Sequence, residues 1–234
     1  MCGWCADFGG AVVDYGTYPP QTRAYFTAAD ARPSLASMFP THDETARVYA
    51  GLKAATEAVL SREYLTQAGG VVRVEQCFVD SGWLADTVHQ FCRQSPHAAI
   101  LMASKGYAVG ASGRPMAEWV KRPGERSGDN WKVTPVAGGG RGRLCLFDPN
   151  YWKSFVAQRL ATPAGGVGCM QLFGEGRGEH QLFADHLTAE YRVQTSGRGR
   201  TLDEWKVRPE RNDNHWLDAI TGAAVAASVL GMKW

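Results

Sequence analysis

Val71-Val72-Arg73-Val74-Glu75-Gln76-Cys77-Phe78-Val79-Asp80-Ser81-Gly82-Trp83 is the stretch on which the fold turns. Its β-branched and aromatic residues predict a strand that ends at Asp80, where Ser81-Gly82 breaks it. Leu84, Val88, Phe91 and Cys92 then recur at helical spacing, which predicts a helix over about 83–94. Ala98-Ala99-Ile100-Leu101-Met102-Ala103 follows as a second apolar strand. A strand, helix and strand of these lengths form a crossover whose two strands run parallel. Asp80 thus stands at the carboxyl end of a sheet strand, where α/β proteins keep their chemistry.

Working back toward the amino end, Thr41-His42-Asp43-Glu44 has capping-box spacing, with Glu44 placed to reach the Thr41 amide. The helix it opens carries Val48, Leu52, Ala55 and Val59 on one face and stops before Gly69-Gly70. Residues 2–18 read as a strand end, a Gly9-Gly10 turn and a return strand over 11–18, closed by Pro19-Pro20. This is a hairpin whose first strand is largely missing. The expected sheet is therefore a single mixed one, a hairpin followed by a parallel pair, flanked by helices in one α/β domain over 1–234.

Toward the carboxyl end, residues 104–142 are irregular and rich in Gly and Arg around a short strand near 132–136. A strand over Arg143–Phe147 leads into Asp148-Pro149, an N-cap followed by proline at the first helical position, and a helix over about 149–161. A strand near 167–173, a helical stretch around 180–190 and a strand pair across 192–207, turning at Gly197-Arg198-Gly199-Arg200, come next. The last helix, capped by Asn212 or Asp213, runs to Leu230 and carries Asp218 near its start.

The net charge is only +2, yet residues 105–143 hold eight Lys/Arg against three acids. That imbalance suits a polyanion, and Lys105, Arg114, Lys121, Arg122, Arg141 and Arg143 are candidates for phosphate contacts, which position nucleic acid without reading its sequence and are expected on the same side as Asp80. The alternative is a solvated irregular segment. No stretch is long and apolar enough to span a membrane, the Ala-rich tail 219–230 being too short. Nothing resembles a cleaved signal peptide. Cys77, Cys92, Cys145 and Cys169 sit in apolar runs, as reduced core thiols do. Cys2-Gly3-Trp4-Cys5 has motif spacing but lacks both the preceding strand of a redox pair and the second ligand pair of a zinc site, so it reads as structural. His186 and His215 lack the geometry of a zinc pair and are read the same way.

Four phrases carry a resemblance: Val79-Asp80-Ser81-Gly82, Ser104-Lys105-Gly106, Leu187-Thr188-Ala189-Glu190, and Arg211-Asn212 through Leu217-Asp218-Ala219. In this order and spacing they resemble the nuclease half of the large terminase subunit of tailed phages, over nearly the whole chain. The resemblance implies a ribonuclease H-like fold in which a carboxylate triad binds two divalent cations, Mg²⁺ or Mn²⁺, and cuts double-stranded DNA. Asp80 and Asp218 match two of the triad, and the two should lie close enough to share a cation. The family's third acid lies on the first strand, where this chain departs from the pattern, and the family's ATPase half, with its GxxxxGK[ST] loop, has no counterpart here. Asp213 is read chiefly as a cap and secondarily as a metal ligand, while Asp7 and Asp14 are weak substitutes for the absent acid. The partners implied for the full-length protein are the portal protein and the small terminase subunit, in the bacterial host cytoplasm. A junction resolvase on the same fold, or a DNA-binding and motor-assembly fragment without full catalytic power, are the rival readings.

Overall fold

In chain order the elements are β1 (Cys2–Trp4), β2 (Gly10–Val12), α1 (Leu35–Met38), α2 (Glu44–Leu60), β3 (Tyr64–Leu65), β4 (Val71–Val72), β5 (Cys77–Asp80), α3 (Ala85–Gln94) and β6 (Leu101–Gly106). After these come β7 (Arg126–Gly128), β8 (Trp131–Pro135), β9 (Arg143–Phe147), α4 (Pro149–Ala161), β10 (Met170–Leu172), α5 (Gln181–Leu187), β11 (Glu190–Gly197), β12 (Arg200–Val207) and α6 (His215–Val229). The computed structural model describes residues 1–66, 68–136, 142–174, 178–211 and 213–233. Among them, no helix is long and apolar enough to cross a membrane.

The sheet that organises the site runs in the order β5-β6-β9-β8-β7. Strands β5, β6 and β9 are parallel, β8 runs antiparallel to β9, and β7 runs antiparallel to β8. Register aligns Asp80 with Ser104, Ser104 with Cys145, and Cys145 with Val133. Because side chains alternate across a strand, this row defines one face, which also carries Phe78, Met102, Trp131 and Phe147. That face meets the larger core with Trp152, Phe155 and Val156 of α4 and Leu217, Ile220 and Ala224 of α6. The other face carries Val79, Leu101, Ala103 and Leu144 and packs with Leu60 of α2 and Val88, Phe91 and Cys92 of α3.

The parallel β5-α3-β6 crossover is as the sequence predicts, but several boundaries move. The expected strand over 71–80 is two strands: Val71 and Val72 pair with β3, and only Cys77–Asp80 joins the main sheet. Arg73, Glu75 and Gln76 interrupt the apolar run and leave no continuous face to bury. The second strand starts at Leu101 rather than Ala98, since a turn bonding Ile100 N–H to the His97 carbonyl takes up the preceding residues. Helix α2 is capped by Asp43, whose carboxylate accepts the Ala46 amide at 2.8 Å, and not by Thr41. Asp is as good a cap as Thr and stands closer to the apolar periodicity. Helix α3 begins after Leu84, which is left-handed at φ 48° and ψ 46° and supplies no side-chain cap. Such a conformation is costly for leucine.

The single mixed sheet is not formed. β1 and β2 pair antiparallel and β10 joins β2 in parallel, making a separate three-stranded sheet with β1 at its edge. Only Gly10–Val12 of the predicted return strand is a strand, so too little length remains to pair onward. Helix α6 packs against both β1 and β5 and thereby links the two sheets. Helix α4 opens as read, with Asp148 as N-cap and Pro149 first. The Asp148 carboxylate accepts amides from Asn150 at 3.0 Å and Val109 at 3.3 Å, while its burial pushes its pKa up.

Candidate functional site

The four phrases singled out in the sequence meet in space two by two. Ser81 donates both its amide and its hydroxyl to the Ser104 carbonyl, each at 2.8 Å, locking the Asp80 turn to β6. Asp80 itself is exposed, and its Oδ2 accepts the Gly82 amide at 3.0 Å. At the other pair, Arg211 donates to Thr188 Oγ1 at 2.6 Å, and Asn214 Nδ2 donates to Glu190 Oε1 at 2.5 Å. Asn214 precedes α6 but makes no side-chain cap. Its amide is used on Glu190 instead, which corrects the expected cap at Asn212 or Asp213; Asn212 lies outside the described residues.

Asp218, in the first turn of α6, accepts Lys153 Nζ at 2.8 Å through Oδ1. The same ammonium lies 2.6 Å from Glu190 Oε1. The side chains of Lys153 and Glu190 are only 9% and 3% exposed, whereas that of Asp218 is 54% exposed. A buried ammonium needs a buried counter-charge, and Glu190 supplies it. Sequence reading quoted Glu190 within a phrase without giving it a role, and missed Lys153 altogether.

Lys153 is held by the helix that carries it. One turn before it Asn150 Oδ1 accepts the Trp205 amide, and next to it Ser154 Oγ accepts Trp205 Nε1, each at 2.9 Å. These bonds fasten α4 to β12, whose partner β11 begins at Glu190. Helices α4 and α6 also pack together. Lysine, glutamate and aspartate are therefore fixed by three interlocked elements.

Asp80 leaves its strand on the sheet face that α6 and α4 cover, and Asp218 stands on α6. Asp213 is engaged elsewhere: its Oδ2 accepts the Ala28 amide at 3.0 Å and its Oδ1 lies 3.7 Å from His215 Nε2. Asp14 is paired with Arg62 at 2.9 Å, and Asp7 accepts the amides of Gly9 and Gly168, which hold its pKa down. His186 stacks on Trp216 with ring centroids 4.4 Å apart, and burial lowers its pKa. Burial raises the Cys2 thiol to about 11, the opposite of what a redox thiol requires.

The basic stretch divides. Lys105 is exposed and lies one residue beyond the Asp80 level, but leaves the sheet on the opposite face. Arg114, Trp119, Arg122, Glu125, Lys132, Thr134 and Leu146 line a shallow basin of about 340 Å³. Lys132, Thr134 and Leu146 alternate with the Asp80 row, so the basin also opens on that opposite face, which corrects the expectation that the basic stretch faces the side of Asp80. Within it Lys132 is tied to buried Glu125 at 2.6 Å, and Arg114 lies 3.8 Å from Glu118. Lys121 is exposed. Arg143 shares the Asp80 face but starts β9, two residues short of the Asp80 level. Arg141 lies outside the described residues.

The family model for the terminase large subunit gpA endonuclease domain matches residues 40–234. The chain belongs to this family. No curated protein and no solved structure gives a match. The gpA endonuclease match covers β5, Lys153, Glu190 and Asp218 together, so the buried cluster and the Asp80 turn lie within the part that defines the family. Membership supports a nuclease role in phage DNA packaging.

Among the described residues no three His, Cys, Asp or Glu side chains converge on one point. Asp80 and Asp218 nevertheless fit Mg²⁺ or Mn²⁺ by type, since such ions take hard oxygen donors and are often held by one or two carboxylates plus water and substrate phosphate.

Proposed function

We propose that this chain is the endonuclease domain of a phage DNA-packaging terminase, cleaving double-stranded DNA in the bacterial host cytoplasm by metal-assisted phosphodiester hydrolysis on a ribonuclease H-like scaffold. The observation that carries the reading is the pairing of the four phrases into two hydrogen-bonded units, within a match to the gpA endonuclease family. The β1-β2 hairpin and the parallel β5-β6 pair, linked by α6, support the scaffold.

Asp80 and Asp218 would hold divalent cations, which neutralise phosphate charge and activate water. Asp80 is presented by a turn that Ser81 anchors, which keeps its carboxylate at the strand end without burying it. Asp218 is held by Lys153 in the free chain and kept half in solvent, where a cation and substrate can reach it. Asp213 is left to the cap region and its loop partner. Lys105, Arg114, Lys121, Arg122, Arg141 and Arg143 are assigned phosphate contacts, and the portal protein and small terminase subunit are the partners of the assembled motor.

Mn²⁺-dependent nicking of supercoiled plasmid tests this. Asp80→Asn and Asp218→Asn should each lower the rate by about two orders of magnitude or more while near-UV circular dichroism is unchanged. Nicking indifferent to both substitutions would sink the assignment. A second reading, a domain that binds DNA but cuts it slowly, is favoured by the absence of a converging third carboxylate among the described residues. It predicts DNA binding with nicking already near background in the unsubstituted chain.

A further inference from the structure

We infer that Lys153 is a built-in placeholder cation: its ammonium holds Asp218 in the DNA-free protein, and a divalent ion must take that carboxylate from it. The inference rests on the reading of Asp80 and Asp218 as metal ligands.

The cluster is asymmetric in a way that a simple structural ion pair is not. Glu190 and Lys153 are both buried and already balance each other, with Asn214 fastening the same Glu190 oxygen. Asp218 is not needed for that balance, yet Lys153 Nζ lies 2.8 Å from its Oδ1. An ammonium has three N–H donors and no acceptor, so after serving Glu190 it still has donors that must be met. Asp218 meets one of them from the mouth of the cluster, at 54% exposure.

A cation coordinated by that same oxygen would sit about 2.1 Å away. The ammonium and the dication would then be neighbours of like sign in a site partly closed to water, where repulsion is poorly screened. Lys153 cannot easily retreat, because α4 is fastened to β12 through Asn150 and Ser154. The mobile partner is Asp218, which must turn its carboxylate away from Lys153 to serve a metal. Lys153 thus weakens metal binding by the free domain and reserves full occupancy for the state in which DNA phosphate adds ligands.

The test is Mn²⁺ binding without DNA, read from the electron paramagnetic resonance signal of free Mn²⁺. Lys153→Met alone strands a buried Glu190, so the informative variant is Lys153→Met/Glu190→Gln, which removes the buried charges together. It should bind Mn²⁺ several-fold tighter than the parent, because the ammonium removed touches Asp218 directly while the opposite charge removed with it is bonded to that ammonium and not to Asp218, and adding Asp218→Asn should erase the gain. A folded double variant with parental or weaker affinity overturns the inference. Failure of the metal reading itself looks different: Asp80→Asn and Asp218→Asn would then leave parental Mn²⁺ binding unaltered, and the inference would fall with it. A measurement without any change to the buried pair guards against misfolding. In the parent labelled with ¹³Cε-lysine, Mg²⁺ should shift the Lys153 resonance, and the shift should vanish in Asp218→Asn. An unmoved resonance at saturating Mg²⁺ overturns the placeholder.

Discussion

The two faces of the five-stranded sheet use charge in opposite ways. On the Asp80 face the ionic groups are few, interlocked and partly buried: Lys153, Glu190 and Asn214 fix one another before Asp218 reaches solvent. On the opposite face Arg114 and Arg122 are exposed, and among the described basic groups lining the basin only Lys132 is tied to a buried acid. The difference separates geometry from attraction. Interlocked charges can set an atom's position to fractions of an ångström, whereas exposed ones act through a field that salt screens.

The largest effect should come from unbalancing the first face. Lys153→Met leaves Glu190 buried without its counter-charge and should cost about 3–5 kcal/mol in urea unfolding, while Lys153→Met/Glu190→Gln should recover most of it. Equal losses in the two variants would mean that packing, not charge balance, holds the cluster. Next in size, Arg114→Gln/Lys121→Gln/Arg122→Gln should weaken duplex binding and reduce the salt slope by roughly 1 for each side chain that touches a phosphate. Because the basin lies across the sheet from Asp80, nicking per bound complex should stay as in the parent. An unchanged salt slope would make the basin a solvated surface, and a changed cutting rate would join the two faces into one site.

The smallest effect belongs to His186, stacked on Trp216 beneath the start of α6. Its folded pKa is lowered by burial, so below the ordinary histidine value of about 6.5 the unfolded chain takes up a proton that the folded one refuses. Stability contributed by the neutral ring is present above that pH and lost as pH falls toward the folded pKa. His186→Phe should flatten the difference in unfolding free energy, read from urea titrations at pH 7.5 and 5.5, by less than about 1 kcal/mol. A variant with an unaltered pH profile would show that His186 takes no part in it.

Elements whose signals are local were legible. Asp148-Pro149 marked α4 to the residue, Arg143–Phe147 is the strand expected, and the 190–207 ribbon turns where its glycines lie. What pairing decides was not: whether the hairpin and the parallel pair share a sheet depends on partners far along the chain, and β10 takes the edge of β2 from about 160 residues away. Asp80 and Asp218 stood out because carboxylates beside apolar runs are unusual. Lys153 did not, since a lysine on a helix ordinarily faces water. One signal was available: Lys153 and Leu160 are a heptad apart and so within about 20° on the helix, which places the lysine inside the apolar arc.

Strand β5 is the rim of its sheet, with no strand on its outer side among the described residues. Cys77 and Ser81 donate their amides inward to Ile100 and Ser104, so the alternation of a strand turns the Phe78 and Asp80 amides outward. The Asp80 amide proton should exchange with solvent deuterium in the free chain far faster than that of Val79 one residue away. Anything that docks along this rim, whether protein segment or nucleic acid, would slow that proton together with the one on Phe78. The backbone of the proposed catalytic aspartate thereby carries its own reporter of whether the open side of its strand is filled.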